Sequence, residues 1–210
     1  MDPAAGTSLD GLRTAARDCR ACPLWKRATQ TVFGAGAARA RMFLVGEQPG
    51  DEEDRQGLPF IGPAGRLLDE ALAAAGIDRG ELYVTNAVKH FKWKPDERRG
   101  KRRIHEKPNA AEIRACHPWL LAEIAAVGPE VIVCMGATAA TALLGAAFRV
   151  TKQRGVPLPF ASGARIVATV HPSAILRAPD RETRRVEMRR FVADLAVARA
   201  LLAHDESLHP

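Results

Sequence analysis

The chain has 210 residues, 47% hydrophobic and 26% charged, with a formal net charge of +7 and an isoelectric point near 9.7. That is enough apolar material for one sizeable core, which excludes a disordered chain and predicts a single domain over residues 1–210. No apolar run reaches the ~20 residues of a membrane span, and Met1–Thr7 lacks the basic start and apolar centre of a signal peptide, so a cytoplasmic protein without membrane contact is expected. The basic balance favours a polyanionic partner.

Ser8 can cap a first helix, LDGLRTAARD, which ends at Cys19 and Cys22 in a C-x-x-C turn followed by Pro23. In a reducing compartment disulfides are rare, so these cysteines, with Cys116 and Cys134, point to metal ligation. Spacing does not separate zinc from an iron-sulfur cluster, because both accept four thiolates. Cys134 taken alone would be an ordinary small core residue.

Met42–Val45 reads as a buried strand ending in the turn Gly46-Glu47-Gln48-Pro49-Gly50, where a parallel α/β sheet places its ligand crevice. Gly46 and Gly50 allow close approach of the backbone to a ligand, and Pro49 stiffens the turn. An acidic loop, Asp51–Asp54, leads to Phe60, held between Pro and Gly residues. Pro63 opens a helix that Gly76 stops, and Leu82–Val88 is the next strand, carrying Asn86 to the same sheet edge as Glu47.

Lys89–Lys107 breaks this pattern. Nine of its residues are Lys or Arg against three acids, and Phe91 and Trp93 alternate with lysines, as in surfaces that stack bases and contact phosphates. Asn109 with Glu112 predicts a capping box for a helix stopped by Gly128, with a kink at Pro118. Val131–Met135 is a third buried strand, Gly136 precedes a small-residue helix, and Arg165–Val170 is a fourth strand. It ends in a polar turn, His171–Arg177, before a long helix capped by Asp180 and running to about Ala203. The three strand ends thus offer Glu47, Asn86 and His171 beside Phe60 and His105. That set suits a planar ring stacked on Phe60 and read at its edge by Asn86, as enzymes acting on an extruded nucleobase require.

The segments GEQPG, LPFIGPAG, TNAVK and HPSAILR, with the four cysteines, resemble the iron-sulfur (family 4) uracil-DNA glycosylases, and KRRIH, Lys101–His105, narrows the resemblance to their UdgX branch. It spans Cys19 to about Arg199. Gln48, where the ordinary enzymes commonly have Ala, and the His-bearing loop both depart from them. The resemblance implies a three-layer α/β/α sandwich around a four-stranded parallel sheet, and a [4Fe-4S] cluster on Cys19, Cys22, Cys116 and Cys134. It implies uracil binding by Gly46, Gln48, Phe60 and Asn86, a hydrogen bond to a uracil carbonyl from His171, and stabilisation of the sugar cation by Glu47. DNA would be held by Lys101, Arg102, Arg103 and Ser173, with Ile175, Leu176 and Arg177 at the tip of an inserting loop. In the UdgX branch the loop histidine, here His105, bonds to the deoxyribose and stays there. The expected partner is uracil-containing DNA, single strands preferred, acted on by a monomer. A multiple-turnover glycosylase and a non-catalytic single-strand-binding protein are the competing expectations.

Overall fold

The computed structural model describes residues 8–97 and 102–205. Its helices and strands, in chain order, begin with α1 (Leu9–Ala16), β1 (Ala35–Gly36), β2 (Met42–Gly46), α2 (Asp51–Gln56), α3 (Pro63–Ala74) and β3 (Leu82–Asn86). A small hairpin follows, β4 (Trp93–Pro95) and β5 (Arg103–His105), then α4 (Ala110–Val127), β6 (Val131–Met135), α5 (Ala137–Leu144) and α6 (Val150–Gln153). The chain closes with β7 (Pro157–Pro159), β8 (Arg165–Thr169), α7 (Pro172–Leu176) and α8 (Arg181–Asp205).

The main sheet has the order β1-β3-β2-β6-β8-β7. Its four central strands are parallel, and β1 and β7 are antiparallel edges. The expected four-stranded parallel sheet is therefore corrected to a mixed sheet of six. The added edges are a two-residue pairing and a Pro-flanked triplet, too short to show a period of two.

Alternation along the strands divides the core between two faces. Met42 and Leu44 of β2 join Leu67, Leu68 and Leu72 of α3, Ile175 of α7 and Phe191 and Leu195 of α8. Phe43 and Val45 point the other way, toward Leu120 and Ile124 of α4 and Ala139 and Ala140 of α5. Because both faces are covered, the central strands are apolar throughout, which is why they read as continuous runs.

Several local expectations change. Asp51–Asp54, expected as a loop, forms the first turn of α2, where four carboxylates meet the positive end of the helix, and Gly57 stops it with φ 76°. The expected capping box of Asn109 and Glu112 opens α4, which contains Pro118 and ends at Gly128 in a left-handed conformation. The polar turn after β8 is the short helix α7, with His171 as its N-cap. The basic loop holds the hairpin, with Trp93 opposite His105 and Lys94 opposite Ile104; Lys101, named as a DNA contact, lies outside the described residues.

A buried ion pair joins β3's extension to α4. Lys89 Nζ bonds Glu123 and also donates to Thr85 Oγ1 and the Asn86 carbonyl, both at 2.7 Å. Glu123 Oε1 further accepts from Tyr83 Oη at 3.0 Å and the Gly34 N–H at 2.9 Å. Removing one partner of such a pair strands the other charge. Glu123→Ala is expected to lower unfolding free energy by about 3–5 kcal/mol in urea denaturation, with part recovered when Lys89→Met is added; an unchanged single variant would contradict this account.

Candidate active site

β2 and β3 end side by side, with Gly46 opposite Asn86. A methyl group at Gly46 would collide with the Phe60 ring and with Asn86 Oδ1, so the three residues share one tight pocket wall. Phe60 has φ 57°, a left-handed conformation rare outside glycine. Strain of this kind is retained where the surroundings require it, and here it fixes the ring over the strand ends. Asn86 is 2% exposed, yet its Oδ1 has no hydrogen-bond partner. An unsatisfied buried acceptor costs roughly 1–3 kcal/mol, so its presence marks a place where a ligand donor is expected.

His171 closes the opposite side, its ring 5.9 Å from that of Phe60 at 31°. As the N-cap of α7, its Nδ1 accepts the Ser173 N–H at 3.1 Å and lies 2.8 Å from Ser173 Oγ. A nitrogen that accepts a backbone N–H carries the lone pair, so the ring proton sits on Nε2. Burial, helped by Arg177 and His105, pushes its pKa down to about 4, so the ring is a neutral donor at physiological pH.

Glu47 follows Gly46. One carboxylate oxygen accepts from Thr138 Oγ1 at the start of α5, and the other lies 3.4 Å from His105 Nε2. Burial lowers the pKa of His105 and so does Arg177, against the raising effect of Glu47.

His105 reaches the pocket because its hairpin is pinned twice. Gln48 Nε2 donates to the carbonyls of Lys92 at 3.1 Å and Glu106 at 3.0 Å, while its Oε1 accepts the Lys92 N–H at 3.1 Å. One amide thereby holds both strands of the hairpin. Arg103 forms ion pairs with Asp51 and with Asp54 Oδ2, the latter at 2.6 Å. It also lies over the Phe91 and Trp93 rings at 5.3 and 5.4 Å. Burial alone would lower the pKa of Arg103, but the hydrogen bonds and charges of Asp54 and Asp51 outweigh it and raise it.

The structure thus gathers Gly46, Glu47, Phe60, Asn86, His105 and His171. Gln48 and Arg103, expected to contact uracil and phosphate, here hold the hairpin: Gln48 is buried, and the Arg103 side chain is 10% exposed. Ile175 lies in the core beneath α7, while Leu176 is half-buried and Arg177 and Arg102 are exposed. Sequence reasoning missed Thr138, Asp51 and Asp54. The acidic run was visible, but its partner, about fifty residues away, was not.

The cysteines divide. Cys22 and Cys116 pack together with Val88, and Cys19, Cys22 and Cys116 interact electrostatically. Cys134 instead lies in β6 with its side chain in the core beneath α4 and α5. Its position does not fit the four-cysteine ligand set expected from the sequence. Burial, partly offset by Lys89, pushes the Cys116 thiol up to about 12, so thiolate there requires a bound cation. Among the described residues no three His, Cys, Asp or Glu side chains are grouped to share one ion.

A model of the uracil DNA glycosylase superfamily matches residues 33–196. A type-4 uracil-DNA glycosylase of Thermotoga maritima is 40% identical over 171 residues, covering 81% of this chain and 84% of that protein. Type-4 enzymes of Pyrobaculum aerophilum and Archaeoglobus fulgidus are 35% and 33% identical, covering 81% and 82% of this chain and 86% and 85% of their own lengths.

Two outcomes follow from the pocket. Gly46→Ala is expected to keep the fold by circular dichroism while misplacing Phe60 or Asn86, with base release falling about 10²-fold in a single-turnover assay. The unfolded state binds the His171 proton near pH 6.5 and the folded state only near 4, so stability falls as pH drops through that window. His171→Asn should lose less stability than the parent over the same range, as measured by denaturation at each pH.

Proposed function

Because the chain belongs to the uracil-DNA glycosylase superfamily, we propose that it excises uracil from DNA and then stays bonded through His105 to the deoxyribose C1′ of the abasic site. The observation that carries the reading is the buried, unpartnered Oδ1 of Asn86 beside the Phe60 ring. Uracil flipped onto Phe60 offers its N3–H to that oxygen, whereas cytosine presents a lone pair at N3 and is repelled.

Cleavage breaks the bond between C1′ and N1, and the electron pair leaves with the base. His171, neutral with its proton on Nε2, donates to the uracil oxygen where that charge gathers. Glu47, held by Thr138, lies on the sugar side and stabilises the oxocarbenium-like deoxyribose. The neutral imidazole of His105 supplies a lone pair to C1′, forming the new C–N bond, and Glu47 is positioned to accept the ring proton. No water is consumed, and the enzyme makes one turnover.

Exposed Arg102 and Arg177, with Ser173 and Leu176, face the DNA in this reading. The substrate is single-stranded by preference and the protein is a cytoplasmic monomer. The net charge of +7 supports phosphate binding. The iron-sulfur cluster implied by the sequence resemblance would be held by Cys19, Cys22 and Cys116, tying the end of α1 to α4. Its contribution is a cross-link, and no step passes through it.

Trapping is tested with a uracil-containing single-stranded oligonucleotide, denatured in hot detergent beside a thymine control. The parent should give a uracil-dependent shifted band. His105→Ser should abolish the band and leave alkali-labile DNA. Alkali-labile free DNA from the parent would favour a multiple-turnover enzyme, and intact free DNA a binding protein. Gln48→Ala frees one hinge of the hairpin and is expected to slow trapping by up to about 10²-fold, with base release less affected, in quenched time courses.

A further inference from the structure

We propose that single-stranded DNA leaves the uracil pocket over Trp25, which stacks a base beyond the flipped nucleotide while Arg20, Lys26 and Arg27 meet its phosphates. The inference rests on the uracil-excision reading and deepens it by naming a second contact for the same strand.

Trp25 belongs to a single 3₁₀ turn, Pro23–Lys26, in which Leu24 is the buried residue. Its neighbours face outward: Trp25 is 37% exposed, and Lys26 and Arg27 are exposed. Among the described residues no other Trp, Tyr or Phe is as open to water. Arg20 lies over the Trp25 ring at 4.8 Å, which sets a cation on one face and leaves the rest of the ring free. Between Gly11 and Gly46 the chain carries seven Lys or Arg and one acid, Asp18. Among the described residues Arg20, Lys26 and Arg27 form no ion pair, with Asp18 or any other acid. An open indole among unpaired cations is the combination by which proteins hold single strands, since every base has a face to stack and every linkage a charge to meet. A base inside a duplex already has both faces covered by its neighbours, so this ring suits an unpaired strand.

The fold sets the turn on the flank of the pocket opposite α7. The pocket lies at the ends of β2 and β3, and α7 follows β8, on the far side of β6 in the sheet order. On the other flank the Val32 N–H donates to the carbonyl of Lys89 at 2.8 Å, so the segment from Trp25 to Val32 runs up to the extension of β3. The Arg27 guanidinium lies over Trp93 at 4.6 Å, and the Trp93 indole N–H donates to the Arg27 carbonyl at 2.9 Å. Trp93 is opposite His105 in the hairpin. Trp25 is therefore two residues from the contact that fastens the hairpin, and a strand that crosses the pocket from α7 continues over the hairpin toward it. Trp93 has its indole N–H bonded and cations over its ring, which makes it an anchor, whereas Trp25 is open.

The test uses the full chain and single-stranded oligonucleotides carrying one 2′-fluorodeoxyuridine, whose fluorine opposes formation of the sugar cation, with either flank extended stepwise. Affinity measured by fluorescence anisotropy should rise and level off as one flank grows. Trp25→Ala should remove that gain, about tenfold, and bind the unextended oligonucleotide as the parent does, while Trp25→Phe should restore most of the gain. With 5-iodouracil placed along that flank, irradiation should cross-link one position to the peptide containing Trp25. If Trp25→Ala does not fold, the cross-link in the parent decides. An equal gain in parent and Trp25→Ala, or cross-links that avoid Trp25, overturns the path. The same Trp25-dependent gain on a duplex of equal length overturns the stacking of an unpaired base. Uracil release from unmodified oligonucleotides is measured separately: a parent that cross-links through Trp25 without releasing uracil upholds the path and overturns the excision reading.

Discussion

Lys89 holds an ammonium group with 1% of its side chain exposed, and three parts of the molecule meet there. Its Nζ bonds Glu123 on α4 and the carbonyl of Asn86 at the pocket wall. Its backbone N–H meets Cys116, also on α4. A buried charge tolerates few arrangements, because losing any partner leaves a group that water does not reach. The strand end bearing Asn86 and the cysteine-bearing helix are therefore held in one geometry. The pocket inherits its rigidity from that constraint and from the packed sheet beneath it.

On this frame the hairpin is an addition with its own fastening. A two-stranded hairpin is marginal by itself in water. Here the Gln48 amide holds both strands, and Arg103 is clamped by Asp51 and Asp54 and lies over Trp93. Trp93 also donates to the Arg27 carbonyl at 2.9 Å and lies beneath the Arg27 guanidinium. These contacts bring an imidazole to within 3.4 Å of Glu47. A nucleophile needs that placement more than it needs an unusual pKa, since positioning accounts for a large share of the barrier reduction.

Legibility in the sequence followed how local each signal was. The apolar runs of β2 and β6 are buried on both faces and read directly. Asn86, Phe60, Glu47 and His171 were legible because strand ends and punctuated turns constrain where they lie. The edge strands were not, being two and three residues long. The ion pairs of Arg103 were not legible, because KRRIH does not reveal that α2 folds back on it. The burial of Ile175 was not legible either, since it depends on α7. Cys134 carried a readable signal in its phase: it lies two residues from Ile132 and shares that residue's face of the sheet.

The central claim is that His105 takes the place of water at C1′, and mass spectrometry of the digested protein-DNA product tests it most directly. After reaction with a uracil oligonucleotide, nuclease treatment and proteolysis, the peptide containing His105 should carry the mass of the abasic sugar, with fragmentation placing it on that residue. An unmodified His105 peptide, with abasic DNA released in excess over enzyme, would contradict the account.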